Sequence, residues 1–344
     1  MKPLISIIVI AHDRRKFLKY ALASISNQTT NKELYEVLVV KNFEDDEIDA
    51  YSKEHAFKSV ITSAASASDK IMVGYNHATG DIIGFLEDDD LYYPNRIERV
   101  LNVFQTYKRL WYYHNEHKVI GKNYEQNLTA NSESEKLTAE GLTIIRNMPD
   151  YITLHHLVRR RVDFNISSIC IRKEALKWAL STFGGNFFGT DMYLFFTSTV
   201  SHYEIGIDNT KLTKYRVHEE NASHVSYAGG NKDVFIEKRI NLFNKMNAWR
   251  QEFLQKLRKV NNHGDIVKFI EFQMQFYKLD IYFISGNYSR KELFEVFVDH
   301  TKNCPISDVR LLSSTIFFSL FSFYNKRISH LLYFALYFKI VALK

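Results

Sequence analysis

Residues 81 to 90 read Asp-Ile-Ile-Gly-Phe-Leu-Glu-Asp-Asp-Asp, an apolar run that ends in four consecutive carboxylates. The apolar part is typical of a buried strand. Alternation along a strand places Glu87 and Asp89 on one face, and Asp88 and Asp90 on the other, until the chain turns. Adjacent like charges repel one another, so they are tolerated best where a cation or water compensates them. Because open α/β sheets bind ligands at the carboxyl ends of their strands, this junction is the predicted functional site.

Strand-like and helix-like segments alternate around this run. Apolar, β-branched runs predict strands at 4–11, 35–40, 59–62, 81–86 and 164–171. Apolar residues at helical spacing predict helices at 14–27, 44–54, from Pro94 onward, 173–180, 236–257, 265–283 and 290–302. This order predicts an α/β fold, with a Rossmann-like, mostly parallel, doubly wound sheet and a C-terminal α-helical region.

The composition limits the class of protein. With 344 residues, 46% of them hydrophobic and 24% charged, the chain is expected to be globular. The net charge of +6 suits phosphate-bearing ligands without requiring nucleic acid, so no nucleic-acid partner is predicted. Cys170 and Cys304 lie far apart, which supports neither a disulfide framework nor a zinc site. The run 4–11 is too short for a secretory signal, so we expect a cytoplasmic protein, free or peripheral on the cytoplasmic face of a membrane.

Several common motifs are absent from the sequence, namely the Walker loop, G-x-G-x-x-G after the first strand, H-E-x-x-H and G-x-S-x-G. What remains is a set of polar residues at predicted strand ends. The set comprises His12, Asp13, Arg14, Lys41, Asn42, the carboxylates at 87–90, Asp191 and the run 215–223. Hard carboxylate oxygens suit Mg²⁺ or Mn²⁺ held together with substrate phosphates.

These residues resemble the motifs of the family 2 glycosyltransferases, inverting enzymes with the GT-A fold. Residues 6–14 are similar to the opening strand of that family and its Tyr-Asn-Arg turn. Residues 74–90 resemble its G-x-x-x-A-x-G block, the strand that follows it and the DxD-type motif. Thr190-Asp191 looks like the later Glu-Asp motif, and His218 is similar to the histidine that often follows the catalytic core. The resemblance covers roughly residues 4–224.

The resemblance implies a metal-dependent transfer of one sugar from a nucleotide-diphosphate donor to a glycan, lipid-linked saccharide or protein. The cation, Mg²⁺ or Mn²⁺, would be held by Asp89, Asp90 and His218. Asp191 would be the base that takes the proton of the acceptor hydroxyl. The residues implied in donor binding are Ala11, His12, Asp13, Arg14, Asn42, Glu87 and Asp88.

The sequence departs from the family at three places. Lys41-Asn42 stands where the family usually has Asp-Asp, Thr190 replaces the Glu before the base, and Glu87 replaces the first Asp of the metal motif. An alternative hypothesis is therefore a catalytically silent GT-A-like protein that binds glycans or serves as a scaffold. A nucleotidyltransferase is a third hypothesis, weakened by the lack of a Gly-rich triphosphate loop.

Three domains are predicted: a nucleotide-sugar glycosyltransferase domain at 1–224, a helical extension at 225–310, and an apolar, aromatic helical hairpin at 311–344. The polar stretch 122–140 is expected to be a surface loop. Each apolar piece of the hairpin is shorter than the ~20 residues that a spanning helix needs. Two alternatives stay open for it: peripheral contact with a membrane interface, or packing on the protein's own helices or on a partner subunit.

Overall fold

The protein is represented by a computed structural model, which describes residues 2–12, 15–122, 124, 141–185, 189–218, 232–260, 263–304, 316 and 319–320. The chain divides into two compact units, Met1–Met148 with Leu157–His218, and Pro149–His156 with Glu219–Lys344. Most of the predicted loop 122–140 and of the predicted hairpin 311–344 lies outside the described residues. The boundaries of the three predicted domains therefore remain a prediction.

The first unit contains one mixed sheet. Over the described residues its strands are β1 (Ile5–Ile10), β2 (Tyr35–Lys41), β3 (Lys58–Ile61), β4 (Ile82–Glu87), β5 (Leu91–Tyr92), β6 (Leu110–Gly121), β7 (Leu142–Ile145), β8 (Ile169–Arg172) and β9 (Glu204–Val217). The order is β3-β2-β1-β4-β8-β6-β9-β5, and β7 also pairs with β9. β1, β2, β3, β4, β6 and β9 run in one direction, and β5, β7 and β8 run against them. The predicted mostly parallel α/β sheet is confirmed.

The centre of the sheet determines where the predicted site lies. Every residue of β1 is buried, as its unbroken apolar run predicts. Ile10 is in register with Val40 on one side and with Glu87 on the other. The carboxyl ends of β1, β2 and β4 therefore coincide, and the residues that follow them meet at one edge of the sheet.

The helices of the first unit are α1 (Leu18–Ser26), α2 (Asp46–Glu54), α3 (Ala67–His77), α4 (Arg96–Thr106), α6 (Lys173–Phe183) and α7 (Thr190–Thr199), and α5 (Tyr151–Arg159) begins in the second unit and ends in the first. Asp45 caps α2 by accepting from the N–H of Ile48, and Ser66 caps α3 by accepting from that of Asp69. Gly80 follows α3, where a Cβ atom would lie 2.7 Å from the backbone nitrogen of Ser6. Only glycine permits so close an approach of the chain to β1.

The predicted strand at 164–171 is wrong over its first half. Asn165 has a φ of 65°, and its side chain accepts a hydrogen bond from the N–H of Ser167. This local bond favours a 3-10 turn over Ile166–Ser168, so β8 begins only at Ile169. Helices α3 and α5 and strands β5, β6, β7 and β9 were not predicted as elements.

The second unit is helical in its described part, as predicted for the region after the sheet. It contains α8 (Lys232–Leu257), α9 (Gly264–Ser285) and α10 (Arg290–Asn303). Aromatic rings contact one another in its interior. The ring centroid of Phe272 lies 4.6 Å from that of His155 and 4.6 Å from that of His300. None of the helices in the described residues combines the length and the apolar character needed to cross a membrane.

Candidate functional site

The acidic run forms a tight turn at the end of β4. The strand ends at Glu87, and the N–H of Asp90 donates back to the carbonyl of Glu87 at 3.3 Å. This turn breaks the expected alternation, so Asp90 joins Glu87 and Asp89 instead of pointing away with Asp88. One ligand oxygen from each of Glu87, Asp89 and Asp90 lies within 4.8 Å of the other two. No other trio of His, Cys, Asp or Glu in the described ranges comes together as closely.

Asp88 faces a different neighbour, the loop after β1. Its N–H donates to the carbonyl of Ile10 at 3.2 Å, and its Oδ2 accepts from the N–H of His12 at 3.2 Å. The N–H of Ala11 donates to Val40 at 3.0 Å. The ends of β1, β2 and β4 are thus linked through main-chain groups, and Asp88 connects the acidic turn to the predicted donor-binding loop.

A buried arginine on β9 supports the acidic turn. The N–H of Arg216 donates to Asp90 Oδ1 and its Nε donates to the carbonyl of Asp89, both at 2.9 Å. Its guanidinium also lies 4.6 Å from the ring centroid of Phe17. Burial lowers the pKa of Arg216, while Asp89 and Asp90 act in the opposite direction. Arg216 fixes the backbone of the turn and supplies one positive charge beside several negative ones.

His218 follows β9 and lies on the same side of the chain as Arg216, two residues earlier. Its Nε2 is 2.9 Å from Asp89 Oδ2, and both side chains are almost completely buried. Its ring packs on Phe17, with ring centroids 5.1 Å apart. His218 and Asp89, both predicted to hold the cation, are therefore in direct contact.

Asp90 is poorly compensated for a buried carboxyl group. It is completely buried, and its Oδ2 makes no hydrogen bond of normal geometry in the described part of the protein. Burial, and after it the charge of Asp89, raises the pKa of Asp90 well above its ordinary value, against the opposing effects of the Arg216 N–H and the Ser167 hydroxyl. A buried oxygen without a donor fits a position that a cation would complete.

The 3-10 turn before β8 joins the acidic turn to the candidate base. Ser167 Oγ accepts from the N–H of Glu87 at 3.0 Å. The N–H of Asn165 donates to Asp191 Oδ2 at 3.2 Å, and the Nδ2 of Asn165 is buried with no hydrogen-bond partner in the described residues. Two separate carboxylate sites are thus held by one short segment.

Asp191 lies in the first turn of α7 and is partly exposed. Its Oδ1 accepts from the N–H of Met192 at 2.9 Å. Burial raises the pKa of Asp191, whereas the backbone donors of Met192 and Asn165 act to lower it. Gly189 precedes the helix with a φ of 74°, and a Cβ there would lie 2.5 Å from Met192 Cε. This glycine gives the chain the left-handed conformation that starts α7 one residue before Asp191.

Lys41 does not point into the predicted donor region. It is fully buried, and its Nζ donates to the carbonyl of Phe43 at 2.9 Å and to Asp49 Oδ2 at 2.8 Å. The partly exposed Asn42 is therefore the residue of this pair that remains near the sheet edge.

The structure thus brings most of the predicted site residues to one edge of the sheet. Asp13 and Arg14 lie outside the described residues. Sequence reasoning included Arg216 only as part of the run 215–223, without a role, and missed Ser167 and Asn165. The alternation of Arg216 with His218 was the available signal for Arg216, whereas Ser167 and Asn165 act through a turn that had been predicted as a strand.

Comparisons with known proteins identify the family. Residues 6–177, half of the chain, match the family described as Glycosyl transferase family 2. GgaB, the minor teichoic acid biosynthesis protein of Bacillus subtilis, is 26% identical over 245 residues, which cover 67% of this chain and 25% of GgaB. A glycosyltransferase of Nostoc is 27% identical over 107 residues, 30% of this chain and 33% of that protein. The match thus spans a quarter to a third of these curated relatives.

Two solved structures have a similar fold. S. aureus TarS 1-349, in complex with UDP-GlcNAc, has a TM-score of 0.56 at 14% identity, over 96% of this chain and 89% of TarS 1-349. The mannosyltransferase PcManGT from Pyrobaculum calidifontis, in complex with GDP-Man and Mn²⁺, has a TM-score of 0.53 at 11% identity, over 97% and 87%. At these identities the likeness concerns the fold alone.

The family match begins in β1, passes through the acidic turn and ends inside α6, so it contains the sheet edge where the carboxylates gather. The predicted resemblance and GT-A fold are confirmed. The chain belongs to glycosyl transferase family 2.

Proposed function

We propose that the protein is a metal-dependent, inverting glycosyltransferase. It transfers a sugar from a nucleoside-diphosphate donor to a hydroxyl group of a glycan, a lipid-linked saccharide or a protein. The observation that carries the proposal is the group of Glu87, Asp89 and Asp90, whose ligand oxygens lie within 4.8 Å of one another at the carboxyl end of β4. Three carboxylates so close together need a compensating cation.

The residues present fit Mg²⁺ or Mn²⁺. All three side chains offer hard oxygen ligands, which these ions prefer, and the buried Asp90 Oδ2 lacks a donor that would compete. Asp89 and Asp90 would hold the ion, with Glu87 beside them and His218 bonded to Asp89. When bound, the cation neutralises negative charge on the diphosphate leaving group.

The remaining chemistry belongs to the side chains. Inversion requires the acceptor hydroxyl to attack the anomeric carbon from the side opposite the diphosphate, so its proton must go to a group outside the metal cluster. Asp191 takes this proton at Oδ1 or Oδ2. Its raised pKa makes it a stronger base than an exposed carboxylate, and the backbone donors of Met192 and Asn165 fix its orientation.

The donor nucleotide is placed at the ends of β1 and β2. Ala11, His12 and Asn42 lie at this edge, and Asp88 connects His12 to the acidic turn. An amide at position 42 both donates and accepts, so the base it reads differs from the one an aspartate would select. The name of GgaB adds teichoic acid to the acceptors worth screening.

The test is a matrix of nucleotide sugars and metals. UDP-, GDP- and CDP-sugars are each added to the purified chain with Mn²⁺, Mg²⁺ or EDTA, and the thermal midpoint is measured. A ligand at 100 times its Kd stabilises by about 2.7 kcal/mol, which is readily detected. We expect stabilisation by at least one nucleotide sugar, dependent on the metal. Stabilisation without any hydrolysis or transfer would support the silent binding protein instead, and no metal-dependent shift in the whole matrix would overturn the proposal.

A further inference from the structure

A buried lysine next to the donor edge is absent from the predicted set of site residues. Lys70 lies in α3 and is fully buried. Its Nζ is 2.5 Å from Nδ1 of His12 and 2.8 Å from the carbonyl oxygen of Ala64. His12 is an exposed residue, so a ligand that approaches from solvent meets the imidazole rather than the ammonium group.

The chemistry of this contact determines the protonation of His12. With Lys70 as an ammonium group, which has three donors and no acceptor, the Nδ1 of His12 is the acceptor of this bond. The ring is then neutral, and its single N–H is on Nε2. Ala64 accepts a second hydrogen of the ammonium group, which fixes the direction of the first.

The backbone of His12 is fixed as well. Its N–H donates to Asp88 Oδ2, and Asp88 is anchored through its own N–H to Ile10. The residue is therefore held at its main chain by the acidic turn and at its ring by α3. An Nε2–H group held in this way can donate to an acceptor oxygen, such as a base carbonyl, a ribose oxygen or a phosphate oxygen.

We propose that Lys70 is a positioning residue for the donor: it holds His12 as the neutral Nε2–H tautomer, and this N–H donates to an oxygen of the nucleotide. The second half of this inference rests on the proposed function. The first half concerns the ligand-free protein and stands independently of it.

Nuclear magnetic resonance tests the tautomer directly. Protein labelled with ¹⁵N in its histidines gives two-bond ¹H–¹⁵N patterns that distinguish Nε2–H from Nδ1–H, and the His12→Gln variant identifies the signal. We expect Nε2–H in the wild type and in Lys70→Arg, which keeps a donor, and a mixture of tautomers in Lys70→Met. An Nδ1–H ring in the wild type overturns the inference, as does a pattern that Lys70→Met leaves unchanged. The wild-type spectrum decides the first point even if the Met variant does not fold.

Binding of UDP, GDP and CDP with Mn²⁺ tests the second half of the inference. The Kd rises in inverse proportion to the fraction of His12 in the Nε2–H form, so an equal mixture in Lys70→Met should raise the Kd of the nucleotide about twofold, while Lys70→Arg retains most of the wild-type affinity. In a transfer assay the loss should appear in the KM of the donor, with kcat nearly unchanged. Lys41→Met is the matched control, because Lys41 is equally buried but bonds Phe43 and Asp49; we expect lower stability and an unaltered His12 signal.

The outcomes separate the two proposals. An altered tautomer with an unchanged nucleotide Kd overturns the donor contact but leaves the role of Lys70 in holding His12. If none of UDP, GDP and CDP binds the wild type, the donor contact falls together with the proposed function, while the tautomer result still stands.

Discussion

Two carboxylates near opposite ends of the central strands, Glu36 in β2 and Asp90 in the turn after β4, have opposite surroundings. Near the amino end of β4, Glu36 Oε1 accepts hydrogen bonds from Ser6, from the N–H and hydroxyl of Thr79, and from Gly80, at 2.6 to 3.3 Å. Burial alone would raise the pKa of Glu36, but these donors lower it below its ordinary value. At the carboxyl end, Asp90 has like-charged neighbours and a raised pKa. A carboxylate saturated by the protein's own donors stabilises the fold, whereas one left short of donors is suited to an external cation.

The largest effect is expected from Asp89, the central carboxylate of the acidic turn. Asp89→Asn removes one negative charge and the ligand most central to the cluster, so transfer should fall by about 10³-fold or more. The stabilisation by Mn²⁺ should disappear in the same variant. Glu36→Gln is the matched control and should retain both transfer and the Mn²⁺ response. Equal losses of transfer and of the Mn²⁺ response in Asp89→Asn and Glu36→Gln would show that the different surroundings of these carboxylates do not matter for function.

Asp191 lies between these extremes, because it has backbone donors but no cationic partner within hydrogen-bond distance among the described residues. Asp191→Asn keeps the shape of the side chain and removes the base, so transfer should fall by about a hundredfold or more. Metal-dependent binding of the donor should be retained, as measured by thermal shift. Substantial transfer by Asp191→Asn would remove it from the role of base.

The free energy of unfolding should change in opposite directions when Asp90 and Glu36 are substituted. In EDTA, Asp90→Asn relieves a buried charge next to Asp89 and should raise the free energy of unfolding by about 1 kcal/mol. Glu36→Gln weakens charge-assisted hydrogen bonds and should lower it by about 1 to 2 kcal/mol. Urea unfolding measures both. A destabilised Asp90→Asn would mean that this carboxyl group is structural after all.

The smallest and most specific effect is on the pH dependence of stability. Glu36 has a folded-state pKa below its unfolded value, so its contribution is present above about pH 4.5 and is lost as the pH falls. Asp90 has a folded-state pKa above its unfolded value of 3.8, so metal-free stability decreases as the pH rises through that window. Subtracting each variant from the wild type should give slopes of opposite sign, each at most about 1.4 kcal/mol per pH unit. Slopes of the same sign would contradict the assigned pKa directions.

The sequence was sufficient to predict the central parallel strands β1, β2 and β4. The buried runs of β1, β2 and β4 are continuous and apolar, and burial on both faces leaves a strong signal. β9 was not predicted, because Asn209, Thr210 and Lys211 interrupt its apolar pattern, and its long pairing with β6 fixes its structure from outside. Non-local pairing of this kind cannot be deduced from periodicity alone.

The candidate site was only partly predicted, again because contacts between distant segments leave no signal in the periodicity of the sequence. The acidic turn and His218 could be recognised as motifs, but the supporting roles of Arg216 and Ser167 depend on contacts between distant segments. The positive φ of Asn165 is set by a local hydrogen bond. The apolar residues around this turn led to the prediction of a strand instead. Lys70 was not predicted because nothing in α3 itself indicates that its ammonium group reaches His12.

The long separation in sequence between the acidic turn and β9 affects how the protein folds during its synthesis on the ribosome. Arg216 meets Asp90 across 126 positions of the chain, and His218 meets Asp89 across 129. The nascent chain therefore carries its acidic turn for a long interval before the residues that hold it are synthesised. Closing so long a loop is slow, so β9, the last strand of the sheet among the described residues, completes the sheet and the candidate site in one event. Chains interrupted before β9 thus lack both, and an inactive, incompletely folded fragment is the expected product of such an interruption.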